Sequence, residues 1–233
     1  MKKIIFKGLL LFSILSFTSC NNNDNNSTPI TIGDAYILSE ISSSDDAADK
    51  IVYSLVFQAY STNYTVSYVN VTGNYKDYTL TNSNGFYSYE DGPSDDYSIF
   101  SDVYTFNYTF ASTSATSSSN TVTSDVIQPA EITSCIGNSS SIIVKWNTIE
   151  NANALLIQMK NSEGVVIFSN NDYSGQLDAN EYTISNNTGL WKEGSYLTEG
   201  ESYTVEILGF LTESSVSSYI QAESLASAPV VWE

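Results

Sequence analysis

The sequence predicts an all-β chain built as two antiparallel β-sandwich domains. Three observations carry that expectation. Thr, Val, Ile, Tyr and Phe dominate the periodic segments, and clusters of Ser, Asn, Asp and Gly separate them. Apolar residues recur at every second position, and no window of a dozen residues keeps them at helical spacing. About seven strand-like segments lie on each side of Gln128-Pro129, at intervals typical of sandwiches.

The first element, residues 1–19, reads as a secretory signal. Met1-Lys2-Lys3 and Lys7 supply a positive start, and the apolar run Gly8 to Phe17 is too short to span a bilayer as a helix. The ending Phe17-Thr18-Ser19-Cys20 resembles the lipobox of bacterial lipoproteins. That resemblance implies cleavage before Cys20 and acylation of Cys20. Residues 20–29 follow as a tether. Asn21-Asn22-Asn23-Asp24-Asn25-Asn26-Ser27-Thr28 has no apolar residue to bury, so it should stay flexible. It would span about 15–18 Å. Membrane attachment would then come through the lipid alone. Cleavage leaves five lysines against 26 acids, a formal charge of −21. It also leaves Cys135 without a partner for a disulfide, and with no cation close in sequence Cys135 is expected to be a small buried hydrophobe rather than a reactive thiol.

The next element, residues 30–128, places strands near 30–41, 50–60, 64–72, 76–81, 85–90, 102–111 and 120–127. Tyr104, Phe106, Tyr108 and Phe110 share one face of the sixth, which suits a sheet buried on one side. Residues 129–233 place strands near 130–136, 141–147, 153–160, 164–169, 180–185, 201–211 and 216–223. Ile142, Val144 and Trp146 share a face, as do Tyr203, Val205 and Ile207. Tyr104-Thr105-Phe106 and Tyr203-Thr204-Val205 open comparable strands 99 residues apart, about one sandwich length. Pro129 marks the boundary with almost no linker.

The second half resembles a fibronectin type III domain. The matching residues are Pro129, the strand Ser141-Ile142-Ile143-Val144-Lys145-Trp146, and Leu197-Thr198-Glu199-Gly200-Glu201-Ser202-Tyr203. The last implies a tyrosine corner, in which the Tyr203 hydroxyl bonds back to the backbone. The first half resembles a more remote immunoglobulin-like sandwich. Lipid anchor, Asn-rich tether and tandem sandwiches together resemble lipoproteins of Bacteroidota, where such modules accompany polysaccharide capture and cell-surface attachment. The resemblance implies the outer membrane, with the surface favoured over the periplasmic face. Function must still be argued from a site.

Chemistry is bounded by what is missing. The chain has no His and no Arg, and no Gly-x-Ser-x-Gly, Ser-x-x-Lys or Gly-rich phosphate loop. Its net charge of −18 opposes nucleic-acid binding. A carboxylate-only glycosidase survives these exclusions, but the expectation is a non-enzymatic protein. Asp91, Asp95 and Asp96 sit around a Gly-Pro turn and are the candidates for Ca²⁺, which wants several oxygen ligands. Twelve of 17 tyrosines precede Pro129. Tyr64 and Tyr68 are expected on one strand face, as are Tyr87 and Tyr89, where exposed rings would stack on sugars or anchor a protein. Trp191, between glycines in a loop, is the remaining binding candidate. The expected partner is therefore a glycan or an envelope protein. The alternative is a structural or accessory subunit, or a spacer, in an outer-membrane complex.

Overall fold

The computed structural model describes residues 28–44, 47–73, 76–170, 180–213 and 216–233. The expected signal segment, Cys20 and most of the tether lie outside them. The strands in order are β1 (Thr31–Ser44), β2 (Ala47–Ser61), β3 (Val66–Thr72), β4 (Asp77–Thr79), β5 (Thr81–Ser83), β6 (Phe86–Ser94), β7 (Asp102–Phe110) and β8 (Thr116–Val122). They continue with β9 (Ile132–Gly137), β10 (Ile142–Trp146), β11 (Ala154–Lys160), β12 (Val166–Ser169), β13 (Glu181–Ile184), β14 (Leu190–Trp191), β15 (Ser202–Glu213) and β16 (Val216–Val231). A 3-10 turn, Tyr97–Phe100, precedes β7. The all-β sandwich expectation holds, and most strands fall within a few residues of their expected positions. The acidic stretch differs. Glu90 to Ser94 extends β6 rather than forming a turn.

Local sequence explains the tight connection at residues 84–85. Asn84 and Gly85 both take positive φ, 54° and 86°, and join β5 to β6 through a two-residue loop. That is the geometry a type I′ hairpin turn requires, and Asn-Gly tolerates it.

The strands form three sheets. The largest runs β14-β12-β11-β15-β16-β1-β2-β6-β5; the others are β4-β3-β7-β8 and β13-β10-β9. The four-stranded sheet closes a core over β1, β2 and β6. Phe57 lies 4.7 Å from Tyr78, 5.0 Å from Tyr104 and 6.0 Å from Phe106, ring centre to ring centre. Such tilted and edge-on pairs add to the free energy of burial. The three-stranded sheet closes a second core with β11, β12, β15 and β16, around Trp146, Ile157, Phe168, Tyr203 and Val205. The tyrosine corner is present: the Thr198 N–H donates to the Tyr203 hydroxyl at 2.9 Å, with Leu197 buried beside it.

The large sheet passes through both cores, a feature the sequence did not announce. β1 pairs with β16 in parallel, from Ile37 opposite Ala222 to Glu40 opposite Leu225. Every other ladder among the described residues is antiparallel. β16 also continues to Val231, beyond its expected end near 223. Small residues line the seam. Ala35, Ser39, Ala222 and Ser224 are all buried there. The Ser39 hydroxyl reaches the Glu223 carbonyl across the seam at 3.3 Å as well as the Ile127 carbonyl on its own side, the Ile220 N–H donates to Asp34 Oδ2 at 2.8 Å, and Asn120 Nδ2 donates to Glu213 at 2.9 Å.

Candidate functional site

Strand alternation assigns each residue of the nine-stranded sheet to a face. Ala35, Ile37, Leu55 and Phe57 point into the first core, and Leu155, Ile157, Val205 and Ile207 into the second. Their neighbours therefore project from the opposite face, which neither smaller sheet covers. On that face Tyr36, Leu156, Leu208, Phe210 and Ile220 are buried and form a third apolar cluster, with Val56, Ala154 and Leu225 partly buried around it. The ladders explain the cluster. Leu156 sits opposite Leu208, and Leu208 opposite Leu225, while Tyr36 sits opposite Val56. Sheet twist and coiling turn this outer face into a recess.

The recess has a cavity volume of about 130 Å³. That far exceeds the roughly 10–15 Å³ one water requires. All its lining residues come from β1, β2, β6, β11, β15 and β16, so both halves of the chain build it. Polar groups ring the apolar floor. Gln58 Nε2 donates to the Tyr36 hydroxyl at 2.7 Å, and Tyr36 in turn bonds the Glu223 carboxylate. Gln158 Nε2 and Lys160 Nζ both donate to Glu206, at 2.5 and 2.6 Å. Glu40 and Glu90 complete the rim. Burial pushes the Glu223 carboxyl up to about 8, with the charges of Glu40, Glu206 and Glu90 adding to the shift and the Tyr36 bond opposing it. Burial also raises the Tyr36 phenol well above its ordinary range. At the seam beside the recess, burial pushes Asp34 up to about 7 against the opposing Ile220 N–H bond.

The residues singled out from sequence lie elsewhere, apart from one at the margin. Tyr64 packs against the first core, 6.0 Å from Phe110, whereas Tyr68 is 47% exposed. Tyr64 falls in a bend before β3, and a register shift follows between Val66 and Tyr68, so the two rings do not share a strand face. Tyr87 and Tyr89 do share a face, but it is the inward one. Tyr87 is fully buried, donating its hydroxyl to the Val66 carbonyl at 2.7 Å. Tyr89 packs 5.6 Å from Tyr78 and also borders the recess. Trp191 is half-buried at the sheet edge, edge-on to Phe168 at 5.1 Å, with its indole N–H donating to the Ser185 carbonyl at 3.1 Å. A hollow of about 240 Å³ lies beside it, lined by Val166 to Ser169 and Leu190 to Lys192. It is larger than the recess but open and lacks converging polar side chains, so the recess is the better site.

The three aspartates expected to share a cation go to three different partners. Asp91 pairs with Lys76 at 2.9 Å and Asp95 with Lys50 at 2.8 Å. Asp96 caps the 3-10 turn by accepting from the Ser98 N–H and hydroxyl, which lowers its carboxyl. Among the described residues, no group of three or more carboxylate or thiol side chains is gathered for a metal ion. Strand β6 explains the dispersal, because it draws Asp91 into a ladder opposite Leu55. Cys135 packs against the second core, and burial pushes its thiol up to about 11. The recess residues escaped the sequence reading because their signal is a pairing between strands about 185 residues apart. Glu206 and Glu223 look like ordinary solvent-facing positions until β1 lies beside β16.

No protein-family model and no curated protein matches the chain. Among solved structures it is similar to the tandem immunoglobulin repeats of Dlar, at 16% identity and a TM-score of 0.44, over 88% of this chain and 97% of that one. It is similar to the N-terminal Ig1-2 module of the Drosophila receptor protein tyrosine phosphatase DLAR, at 12% identity and 0.44, over 89% and 100%. It is also similar to a two-domain fibronectin type III segment of chicken tenascin, at 13% identity and 0.25, over 83% and 97%. None of the three speaks to what this chain binds.

Proposed function

We propose that the chain is a non-catalytic binding module of the cell envelope, held at the outer membrane through lipidated Cys20, with its recessed sheet face open to a glycan or protein ligand. The observation that carries this reading is the recess itself: an apolar floor ringed by hydrogen-bonding groups from both halves of the chain. Such a combination is typical of ligand sites. The lack of His and Arg supports a binding rather than a catalytic role. The lipobox-like Cys20 and the tether support surface display.

Two measurements test it. Protease added to intact cells digests the protein while a periplasmic control survives; protection would move it to the periplasmic face. Leu225→Trp, which fills the recess from its partly buried margin, abolishes retention of the ligand by the purified protein while leaving its circular dichroism unchanged. Retention at the parental level would exclude the recess. A second reading, an envelope spacer or accessory subunit, is favoured by the continuous sheet, which couples the two cores. It predicts a fixed crosslinking partner whose capture survives Leu225→Trp.

A further inference from the structure

We propose that the occupant of the recess is a lysine side chain presented by a protein partner; this rests on the recess being the binding face. Charge argues first. Glu40, Glu90, Glu206 and Glu223 line the recess, and Lys160, which is committed to Glu206, is the one cation among its lining residues. A cation entering there is partly desolvated, where opposite charges attract more strongly than in water. The net charge of −18 would also steer a basic partner toward the chain and repel an anionic one.

Shape argues next. Leu38, Val56, Leu208 and Leu225 give apolar walls suited to a methylene stem. Glu223 stands on β16 and Glu90 on β6, so a carboxyl flanks these walls on either side. A methylene stem lying along the walls would bring a compact ammonium, a point charge on a flexible chain, to one of these carboxyls. A neutral sugar would want an exposed ring to stack on. The two aromatic lining residues offer none: Tyr36 is buried and Tyr89 packs on Tyr78.

Proton linkage follows from the same groups. The titratable and charged side chains on the face of Glu223 are Tyr36 and Glu40 from β1, Glu90 from β6, Lys160 from β11 and Glu206 from β15. With its carboxyl raised to about 8, Glu223 holds a proton near neutrality. An entering ammonium displaces it to the buffer, so binding releases a proton and tightens from pH 6 to pH 9.

The experiment is an amide-resolved NMR titration of the purified protein at low salt with hexalysine, its fully acetylated counterpart, spermidine and cellohexaose. Hexalysine is expected to move the Gln158, Leu208 and Glu223 amides saturably, and the acetylated peptide to move none. Glu223→Gln should weaken hexalysine more than about tenfold, as expected for truncating one partner of a buried charge pair, while Glu163→Gln on an exposed turn changes it less than about twofold. Calorimetric heats should vary with the ionisation enthalpy of the buffer. If Glu223→Gln does not fold, Glu90→Gln on the rim replaces it, with about threefold expected. Equal losses for Glu163→Gln and the recess variant would reduce the effect to diffuse charge and overturn the proposal. Tighter binding of spermidine than of the peptide would overturn the protein partner. Recess shifts with cellohexaose alone would keep the binding face and overturn the lysine. No recess shifts with any probe would overturn both.

Discussion

Gly33 illustrates how little slack individual side chains have in the first core. A Cβ there would sit 2.5 Å from both the Phe106 ring and the Tyr108 hydroxyl. Gly33→Ala is therefore expected to cost about 1–3 kcal/mol, read as a lower urea midpoint at unchanged slope. Tyr203 is the complementary case in the second core. Tyr203→Phe removes the acceptor of the Thr198 N–H and should cost about 1 kcal/mol in the same assay. The corner's spacing was visible in the sequence because it is local, five residues from donor to acceptor. The fate of Tyr64 and Tyr68 was not, because one bulge in β3 depends on how β7 pairs with it.

Among the elements, β1 and β16 carry the most consequence. Each was recognisable as a strand from its own residues, but nothing in either names its neighbour. Alternation fixes faces, whereas register and partner depend on tertiary contacts. The pair also brings buried carboxyls together: Asp34 at the seam and Glu223 on the recess face, raised to about 7 and about 8. Both carboxyls titrate higher folded than unfolded, where ordinary values near 4 apply. The folded state then holds more protons between those limits, so stability falls as pH rises from about 4 through about 8. The melting temperature should be higher at pH 5 than at pH 8, and the double variant Asp34→Asn, Glu223→Gln should flatten that slope. A slope unchanged by the pair would assign the effect to general charge repulsion, which added salt relieves for all variants alike.

For the whole molecule, two cores joined by a continuous sheet predict one unfolding transition. Hydrogen bonds cross the seam from Ser39 to the Glu223 carbonyl, from the Ile220 N–H to Asp34 and from Asn120 to Glu213, so neither core can open without breaking them. Calorimetry should give a single peak whose calorimetric and van't Hoff enthalpies agree. Two resolved peaks would show that the halves melt independently.

The parallel pairing of β1 with β16 also bears on the order in which the chain can assemble. The Ile220 N–H meets an Asp34 carboxylate 186 positions earlier. Contacts so distant form slowly, because a long loop must close before they repay its entropy. During synthesis, β1 can hairpin with β2 at once, yet its other edge stays bare until residues 220–225 emerge. A bare strand edge is a template for pairing with a neighbouring copy. One strand edge is therefore open to such pairing for almost the entire synthesis, and a truncation before residue 220 would leave that edge permanently adhesive.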